Sequence, residues 1–440
     1  MDFYGYKTRK WRTLIKDYPF DTSGLPDLAW KTGSTLEAIF FLYQITGNQK
    51  IGSLHLSLTD DLMNTRDDNN GVLAWNQKAH KFWSSGNRYN YGYINLYDDK
   101  NKLKGILEFK DAKLDECYFT IDSISGANFS IAIENKRDGK KYRINKTNFE
   151  SLEKDVNRIE WKSYVSDNNK NRVLNYIPWD TEKSLPKSIS QQRLSSYYVP
   201  SIDVNAIHLN ALINSYKIIS QRKHKNKARR YYKFIEETIR ANTELYLNET
   251  DTLCYFEYPK NSKTFMGGGV AYPYNKQFAY VAMLSKWNKI ARSKRINEII
   301  GKWASYFKSS TEKIEGGVTW RYWDDPTGTI KRYETENYGS HDIKYLMVIK
   351  ENSDAFSEKE VLEITNALRN KLLVCEDEEV YHKTAFDFKW KDSGLVNTNY
   401  LSMGNLWPEL FECYEEHVDI SSLDWIDRVK MIYYFKKREK

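Results

Sequence analysis

Cysteine and long apolar runs are scarce in this 440-residue chain, and both absences exclude classes of protein. The cysteines are far apart and include no CxxC pair: Cys117, Cys254, Cys375 and Cys413. This spacing predicts incidental thiols rather than a disulfide framework or a metal site. No segment has the length and apolar character of a membrane-spanning helix, and residues 1–19 lack the apolar core of a signal peptide. We therefore expect a soluble chain, cytoplasmic as given, or secreted or periplasmic if a signal was removed.

Charge of either sign is not concentrated anywhere in the chain. Lys and Arg number 67 and Asp and Glu number 59, so the net charge is +8. Zinc-ligand spacings, RNA-binding motifs and a concentrated basic helix are all absent, which argues against nucleic acid as a partner. A mild positive bias suits an anionic substrate, because it raises the local substrate concentration. No cofactor is predicted, and the oligomeric state is left open.

Aromatic residues are abundant: they make up 15% of the chain, including 33 Tyr and 13 Trp. The C–H faces of sugar rings pack against aromatic planes, while the Tyr hydroxyl or Trp N–H still bonds to sugar hydroxyls. Large aromatic side chains also fill gaps between helices. The composition alone leaves both interpretations open.

Helical periodicity recurs in pairs of segments. A capping-box pattern, Ser34-x-x-Glu37, opens the first predicted helix, and a second covers 51–63. Four further pairs follow, at 204–220 with 228–247, 275–290 with 293–308, 342–351 with 357–373, and 404–416 with 421–437. Antiparallel hairpins bury their apolar faces on their neighbours, so about five such hairpins favour a ring or a solenoid.

Between the first and second pairs the period changes from helical to alternating. Short apolar–polar runs such as Tyr93–Tyr97 and Phe129–Ile133 are separated by polar turns, which is typical of a β-sandwich or jelly roll. The sequence thus predicts a mainly α fold with a β insertion. Its parts are an N-terminal helical part (1–87), a β-sandwich insertion (88–180) and the main helical domain (181–440).

One polar and aromatic segment stands out for its density of reactive side chains. Trp320-Arg321-Tyr322-Trp323-Asp324 is followed, after a turn, by Glu336-Asn337-Tyr338-Gly339-Ser340-His341-Asp342. Such density in a predicted loop favours function, since loops carry most sites. A second segment, Tyr272-Pro273-Tyr274-Asn275, follows three glycines at a predicted helix start.

These motifs resemble the α/α-toroid (six-hairpin glycosidase-like) carbohydrate-active enzymes, including polysaccharide lyases. In that family a W-x-Y-W stretch precedes an acidic motif ending in Ser-His, and here Asn337 stands where Asp is usual. The resemblance covers the helical parts and implies an incomplete toroid of about five hairpins. It also implies an enzyme that acts on a polysaccharide or oligosaccharide.

Two chemistries fit these side chains. In β-elimination or C5-epimerisation of a uronic acid, an Asn, His or Arg neutralises the sugar carboxylate and a Tyr or His removes the C5 proton. In glycoside hydrolysis, paired carboxylates act as acid and as base or nucleophile. A third hypothesis is a glycan-binding or assembly protein without catalysis. The candidate catalytic residues are His341, Tyr338, Asn337, Arg321, Glu336 and Asp324. The candidate substrate-binding residues are Trp320, Tyr322, Trp323, Tyr272, Tyr274, Asn275 and Trp75.

Overall fold

A computed structural model provides the structure of the chain. It describes residues 32–70, 74, 78–89, 92–97, 103–110, 117–125, 128–135, 141–147, 172–177, 192–193, 197–260, 269–323, 335–371, 373–376, 379–383, 391–392, 397–418 and 423–438.

Helices dominate the described residues outside the segment between Ser84 and Pro200. In chain order they are α1 (Thr32–Thr46), α2 (Gln49–Asn64), α3 (Asp67–Asn70), α4 (Ile202–Gln221), α5 (Lys225–Tyr246), α6 (Tyr274–Ala291), α7 (Lys294–Ser310), α8 (Glu336–Asn352), α9 (Glu358–Lys371), the 3-10 helix η1 (Thr398–Met403), α10 (Glu409–His417) and α11 (Trp425–Arg438).

Six of these helices form a closed ring. Helix α1 packs against α4, α4 against α6, α6 against α8, and α8 against η1; α11 then contacts both η1 and α1, which closes the circle. Helices α2, α5, α7 and α9 follow their inner partners in sequence and pack outside them. The helical ring predicted from the hairpin pattern is therefore present in the described part of the chain. The total of about five hairpins stays a prediction.

Burial explains why some helices lie inside and others outside. In α6 every residue from Gln277 to Ser285 is buried, as expected for a helix that has neighbours on all sides. Outer helix α5 instead buries a single stripe that includes Tyr231, Ile235, Ile239 and Tyr246. That three- to four-residue spacing places one apolar face against the ring and leaves the charged face in solvent.

The β segment leaves and rejoins the ring through one antiparallel strand pair. Strand β1 (Ser84–Tyr89) pairs with β9 (Tyr197–Pro200), and Ser84 lies opposite Pro200. The backbone N–H of Trp83 donates to Asn205 Oδ1 at 2.9 Å, and Asn205 Nδ2 donates back to the Trp83 carbonyl at 2.9 Å. These bonds fix the base of the β segment to the first turn of α4.

Two antiparallel sheets lie between those strands. One has the order β2–β3–β7 and the other β6–β5–β4–β8. Their strands are β2 (Gly92–Tyr97), β3 (Leu103–Lys110), β4 (Cys117–Ser125), β5 (Asn128–Asn135), β6 (Lys141–Thr147), β7 (Arg172–Ile177) and β8 (Gln192–Arg193). The alternating runs that predicted strands are strands here. Their packing as a sandwich is not established.

Short hairpins link several helices of the ring. They are β10 (Leu247–Glu249) with β11 (Cys254–Phe256), β12 (Glu312–Ile314) with β13 (Gly317–Thr319), and β14 (Leu373–Glu376) with β15 (Glu379–Lys383) and β16 (Lys391–Asp392). The sequence did not predict these elements, because strands this short have too few residues to show a period.

Two predicted helix starts are wrong. Helix α1 begins at Thr32, so Ser34 and Glu37 lie within the helix rather than forming its cap. Helix α8 begins at Glu336, not Asp342, and the Gly339 N–H already donates to the Thr335 carbonyl at 2.8 Å. Polar residues in the first turn of a helix resemble a loop in sequence, since the first N–H groups have no partner within the helix.

Two sequence-based expectations concern the cysteines and the membrane. Cys254 is a buried free thiol, as expected, but Cys413 is disulfide-bonded, so the prediction of incidental thiols is wrong at that position. Among the described residues, no helix combines the length and apolar character needed to cross a membrane.

Candidate functional site

The first turns of the inner helices meet at one end of the ring, which we call the mouth. Lys276, in the first turn of α6, contacts Ser201 Oγ at 3.2 Å and Asp203 Oδ1 at 3.3 Å at the start of α4. Asn399, in η1, contacts Ser340 and His341 near the start of α8. Helix N-termini carry free N–H groups and partial positive charge, so this end of the ring favours negative groups.

A cavity of about 60 Å³ lies inside the ring, enough for a few water molecules. Five helices contribute its walls: Gly33, Ser34 and Glu37 from α1; Ala206, Ile207 and Asn210 from α4; Ala279, Ala282, Met283 and Lys286 from α6; His341, Lys344, Tyr345 and Val348 from α8; and Lys430 from α11. Ala206 and Ala279, in the first two turns of α4 and α6, present small side chains to the part of the cavity nearer the mouth. Lys286 and Val348 lie further along their helices and form the floor.

Charge in the cavity is unbalanced, with three lysines and one carboxylate in its lining. Glu37 pairs with Lys344, joining α1 to α8. Burial by itself would raise the pKa of Glu37, but Lys344 and Lys430 outweigh it, so that pKa lies below its usual value. Lys430 Nζ lies 3.3 Å from Asp427 Oδ1.

Lys286 differs from the other two lysines in its partners. Its Nζ donates to the side-chain oxygens of Asn210 and, at 3.3 Å, Asn214, which are both neutral. Among the described residues, no carboxylate lies within ion-pair distance of this amine. Burial, followed by repulsion from Lys217, lowers the pKa of Lys286 to about 7. The amine therefore changes charge near neutral pH.

His341 lies in the second turn of α8, one turn before Lys344. Burial, followed by Lys344 and Lys430, lowers its pKa to about 3, so the imidazole is neutral at pH 7. Asn399 Nδ2 lies 3.4 Å from its Nδ1, and Asn399 Oδ1 is buried without a hydrogen-bond partner in the described structure. With the amide N–H toward Nδ1, Nε2 carries the proton and donates. With the amide oxygen there, Nε2 accepts.

Tyr345 is the second aromatic side chain in the cavity wall, with its ring centre 6.3 Å from that of His341. Burial, followed by the negative charges of Glu37, Asp203 and Asp342, raises the pKa of its hydroxyl well above the usual value. The hydroxyl therefore stays protonated and acts as a hydrogen-bond donor rather than a base.

The predicted aromatic binding residues are mostly buried between elements. Trp320 donates its Nε1–H to Asp342 Oδ2 at 3.0 Å, and Trp323 donates to the Ala271 carbonyl at 2.5 Å. Tyr272 is buried, and the buried Tyr274 donates to Ser310 Oγ at 2.5 Å. In this structure these four rings pack among protein groups and present no open face to a sugar.

Tyr322 and Tyr338 are arranged differently. Their rings stack with centres 5.5 Å apart, and Tyr338 is 39% exposed one turn before His341. Asn275 is half-buried at the mouth, and its Oδ1 is buried without a partner among the described residues. Both observations keep Tyr322, Tyr338 and Asn275 as candidates for binding.

The remaining predicted residues lie elsewhere or outside the described side chains. Arg321 pairs with Glu312, at 2.5 Å between Nη2 and Oε1, on strand β12. It does not line the cavity. Glu336 and Asn337 occupy the first two positions of α8, and their side chains are outside the description. Trp75 and Asp324 lie outside the described residues.

Sequence reasoning missed Glu37, Lys286, Lys344, Lys430 and Asp203. Lys286 had a signal in the sequence, since it follows the apolar run at 278–284, where a charged side chain is unexpected. Glu37 was interpreted as part of a helix cap. In the part of the chain that is described, no group of His, Cys, Asp or Glu could hold a metal ion.

Comparison with known proteins shows distant likeness only. No family model and no curated protein matches the sequence. A sugar epimerase from a ruminal bacterium matches with 7% identity and TM-score 0.35, and cellobiose 2-epimerase from Bacillus thermoamylovorans with 12% and 0.35. Each match covers 57% of this chain and 64% of the other, so the chain spans less than two thirds of either epimerase.

A family 76 glycoside hydrolase from a bovine Bacteroides thetaiotaomicron strain has 9% identity and TM-score 0.36, covering 79% of this chain and 78% of the other. Likenesses at this level assign no family. The ring described above rests on the helix contacts within this chain.

Proposed function

We propose that this chain is a carbohydrate-active enzyme that acts on an acidic polysaccharide or oligosaccharide through proton transfer at a uronic acid. The observation that carries the proposal is the cavity itself. A neutral imidazole, His341, shares one enclosed space with three lysines, under a mouth formed by helix N-termini.

The chemistry follows from that arrangement. Removal of the C5 proton of a uronate places negative charge on the adjacent carboxylate, and nearby ammonium groups stabilise this charge as it develops. In β-elimination the C5–H and C4–O bonds break, a C4–C5 double bond forms, and the departing C4 oxygen takes up a proton. In epimerisation the proton returns to the opposite face. Both reactions need a group that transfers protons in the cavity, and we assign His341 to it.

Burial, followed by Lys344 and Lys430, disfavours the charged imidazolium of His341 and lowers its pKa. A bound uronate introduces a negative charge beside the ring and raises this pKa, since opposite charges favour the protonated form. Substrate binding thus makes the imidazole a better base.

The test uses a panel of acidic and neutral polysaccharides. Ultraviolet absorbance of an unsaturated uronate reports elimination, and solvent deuterium at C5 reports epimerisation. We expect one of these signals with the wild type. It should fall at least 100-fold in His341→Gln and stay unchanged in His224→Gln, which alters an exposed histidine. An unaffected His341→Gln enzyme contradicts the assignment.

A glycoside hydrolase is the second candidate, and Asp203 favours it. This carboxylate is 1% exposed at the mouth, and its Oδ2 has no hydrogen-bond partner among the described residues. Glu37 is the second carboxylate near the cavity, although Lys344 holds it. New reducing ends without ultraviolet absorbance, abolished in Asp203→Asn, would assign hydrolysis. Sugar binding with no product would instead identify a non-catalytic binding protein.

The same proposal includes the packing of the β insertion and the cellular compartment. We infer that the two sheets between β1 and β9 pack as a β-sandwich, and that this insertion, predicted at 88–180, separates helical parts at 1–87 and 181–440. The Cys413 disulfide favours an oxidising compartment, hence a secreted or periplasmic protein.

A further inference from the structure

The floor of the cavity is built to hold a cation without a fixed counter-ion. Lys286 Nζ is bound by two amide oxygens, from Asn210 and Asn214 on α4. Amide oxygens orient an ammonium group but do not neutralise it, so its charge stays available to a ligand. Lys344, by comparison, already has Glu37.

The size of the cavity limits what reaches Lys286. About 60 Å³ accommodates a carboxylate or a similar acid group in place of a few water molecules. Lys286 and Val348 are the lining residues furthest from the N-terminal ends of α6 and α8, and thus furthest from the mouth. A ligand that enters from the mouth therefore reaches Lys286 with one end only.

The side chains that line the cavity between the mouth and Lys286 are consistent with entry from the mouth. Ala206 and Ala279 lie in the first two turns of their helices and have small side chains, so they take up little of the space between the mouth and Lys286. His341 lies in the second turn of α8, nearer the mouth than Lys286, which lies in the later part of α6.

We propose that Lys286, held by Asn210 and Asn214, binds the acid group of a terminal sugar residue, so that the enzyme works from the end of a chain. The inference rests on the proposed function but adds a recognition residue and a mode of action. Recognition is end-on, and internal residues of a polymer do not reach the floor.

The first experiment measures binding alone. Titration calorimetry at pH 6.5 compares D-glucuronate and D-galacturonate with glucose and galactose. We expect each uronate to bind at least 10-fold more tightly than its neutral counterpart. Lys286→Gln should lose this preference, and Lys289→Gln, which removes the same charge from an exposed position of α6, should keep it. Equal binding of uronate and neutral sugar, absence of binding, or an unchanged Lys286→Gln variant overturns the proposal.

The second experiment determines the mode of action with acidic oligosaccharides of defined length. A chain-end enzyme releases or alters one terminal residue at a time, so the remaining oligosaccharide shortens or changes stepwise. Products from the middle of the chain overturn the terminal mode while leaving the proposed function intact. Lys286-dependent uronate binding without any product contradicts the catalytic function and leaves the acid pocket supported.

Discussion

At the scale of single residues, burial and charge decide what each side chain can do. His341 and Lys286 share one cavity, and burial lowers the pKa of both, but the consequence for their charge at pH 7 differs. A histidine with a lowered pKa is simply neutral at pH 7, whereas a lysine with a pKa of about 7 is charged in only part of the molecules. The lysine is therefore the group whose state changes in the physiological range.

Uronate binding should depend on pH through Lys286. Lys217, Glu37, Lys344 and Glu351 all act on its charge, and the net result with burial is a pKa of about 7. The anion binds the charged amine, so affinity is full below pH 7 and falls as pH rises above it, by up to about tenfold per unit. Calorimetry from pH 6 to 8 measures this slope.

Proton uptake gives a control for that result. At pH 8 wild-type binding should take up close to one proton, measured in buffers of different ionisation enthalpy, because the bound anion raises the pKa of Lys286. Lys286→Gln should bind weakly at every pH without uptake. A flat pH profile in the wild type contradicts the role of Lys286.

At the scale of elements, close helix approach shapes the cavity wall. A Cβ atom at Gly33 would lie 1.8 Å from Ile207 Cγ2, so α1 and α4 touch where only glycine fits. At Gly301, exposed in α7, no heavy atom lies within 4 Å of the same position. Helix packing therefore requires glycine at position 33, whereas nothing in the surroundings requires it at position 301.

We expect Gly33→Ala to destabilise the fold by about 1–3 kcal/mol, because overpacking forces the two helices apart. Gly301→Ala should stabilise it by about 0.5–1 kcal/mol, since alanine favours an exposed helix interior. Urea unfolding of both variants and the wild type measures the difference. A neutral Gly33→Ala would show that α1 and α4 tolerate separation.

At the scale of the whole molecule, ion pairs tie together helices that are distant in sequence. Glu37 and Lys344 are 307 positions apart, and their contact joins α1 to α8 inside the ring. Lys344 is 7% exposed, so its charge depends on this partner. The pair is thus part of the ring's structure as well as of the cavity.

Glu37→Gln should destabilise the protein by about 3–5 kcal/mol, because it leaves the buried Lys344 charge unpaired. The double variant Glu37→Gln/Lys344→Met should recover most of that loss, since it removes both charges. Thermal or urea unfolding of the single and double variants tests this. If the double variant is as unstable as the single one, lost packing and not lost pairing is the cause.

Sequence alone determined the helical pairs and the β segment between them, and it predicted a site in the motif around His341. Periodicity carries this information, because each helix must bury one face and each strand alternates its sides. The apolar stripe of Val204, Ile207, Ala211 and Leu212 also predicts a core position for His208, and the structure has it buried against Trp83 at 4.9 Å between ring centres.

Only the tertiary structure decided which charged residues share the cavity. Glu37, Lys286, Lys344 and Lys430 come from four helices spread over most of the chain, and nothing local marks them as neighbours. Tertiary packing also buried Trp320 and Trp323, which the motif had suggested as sugar platforms. A helix period tells which residues share a face, but the closing of the ring determines what that face meets.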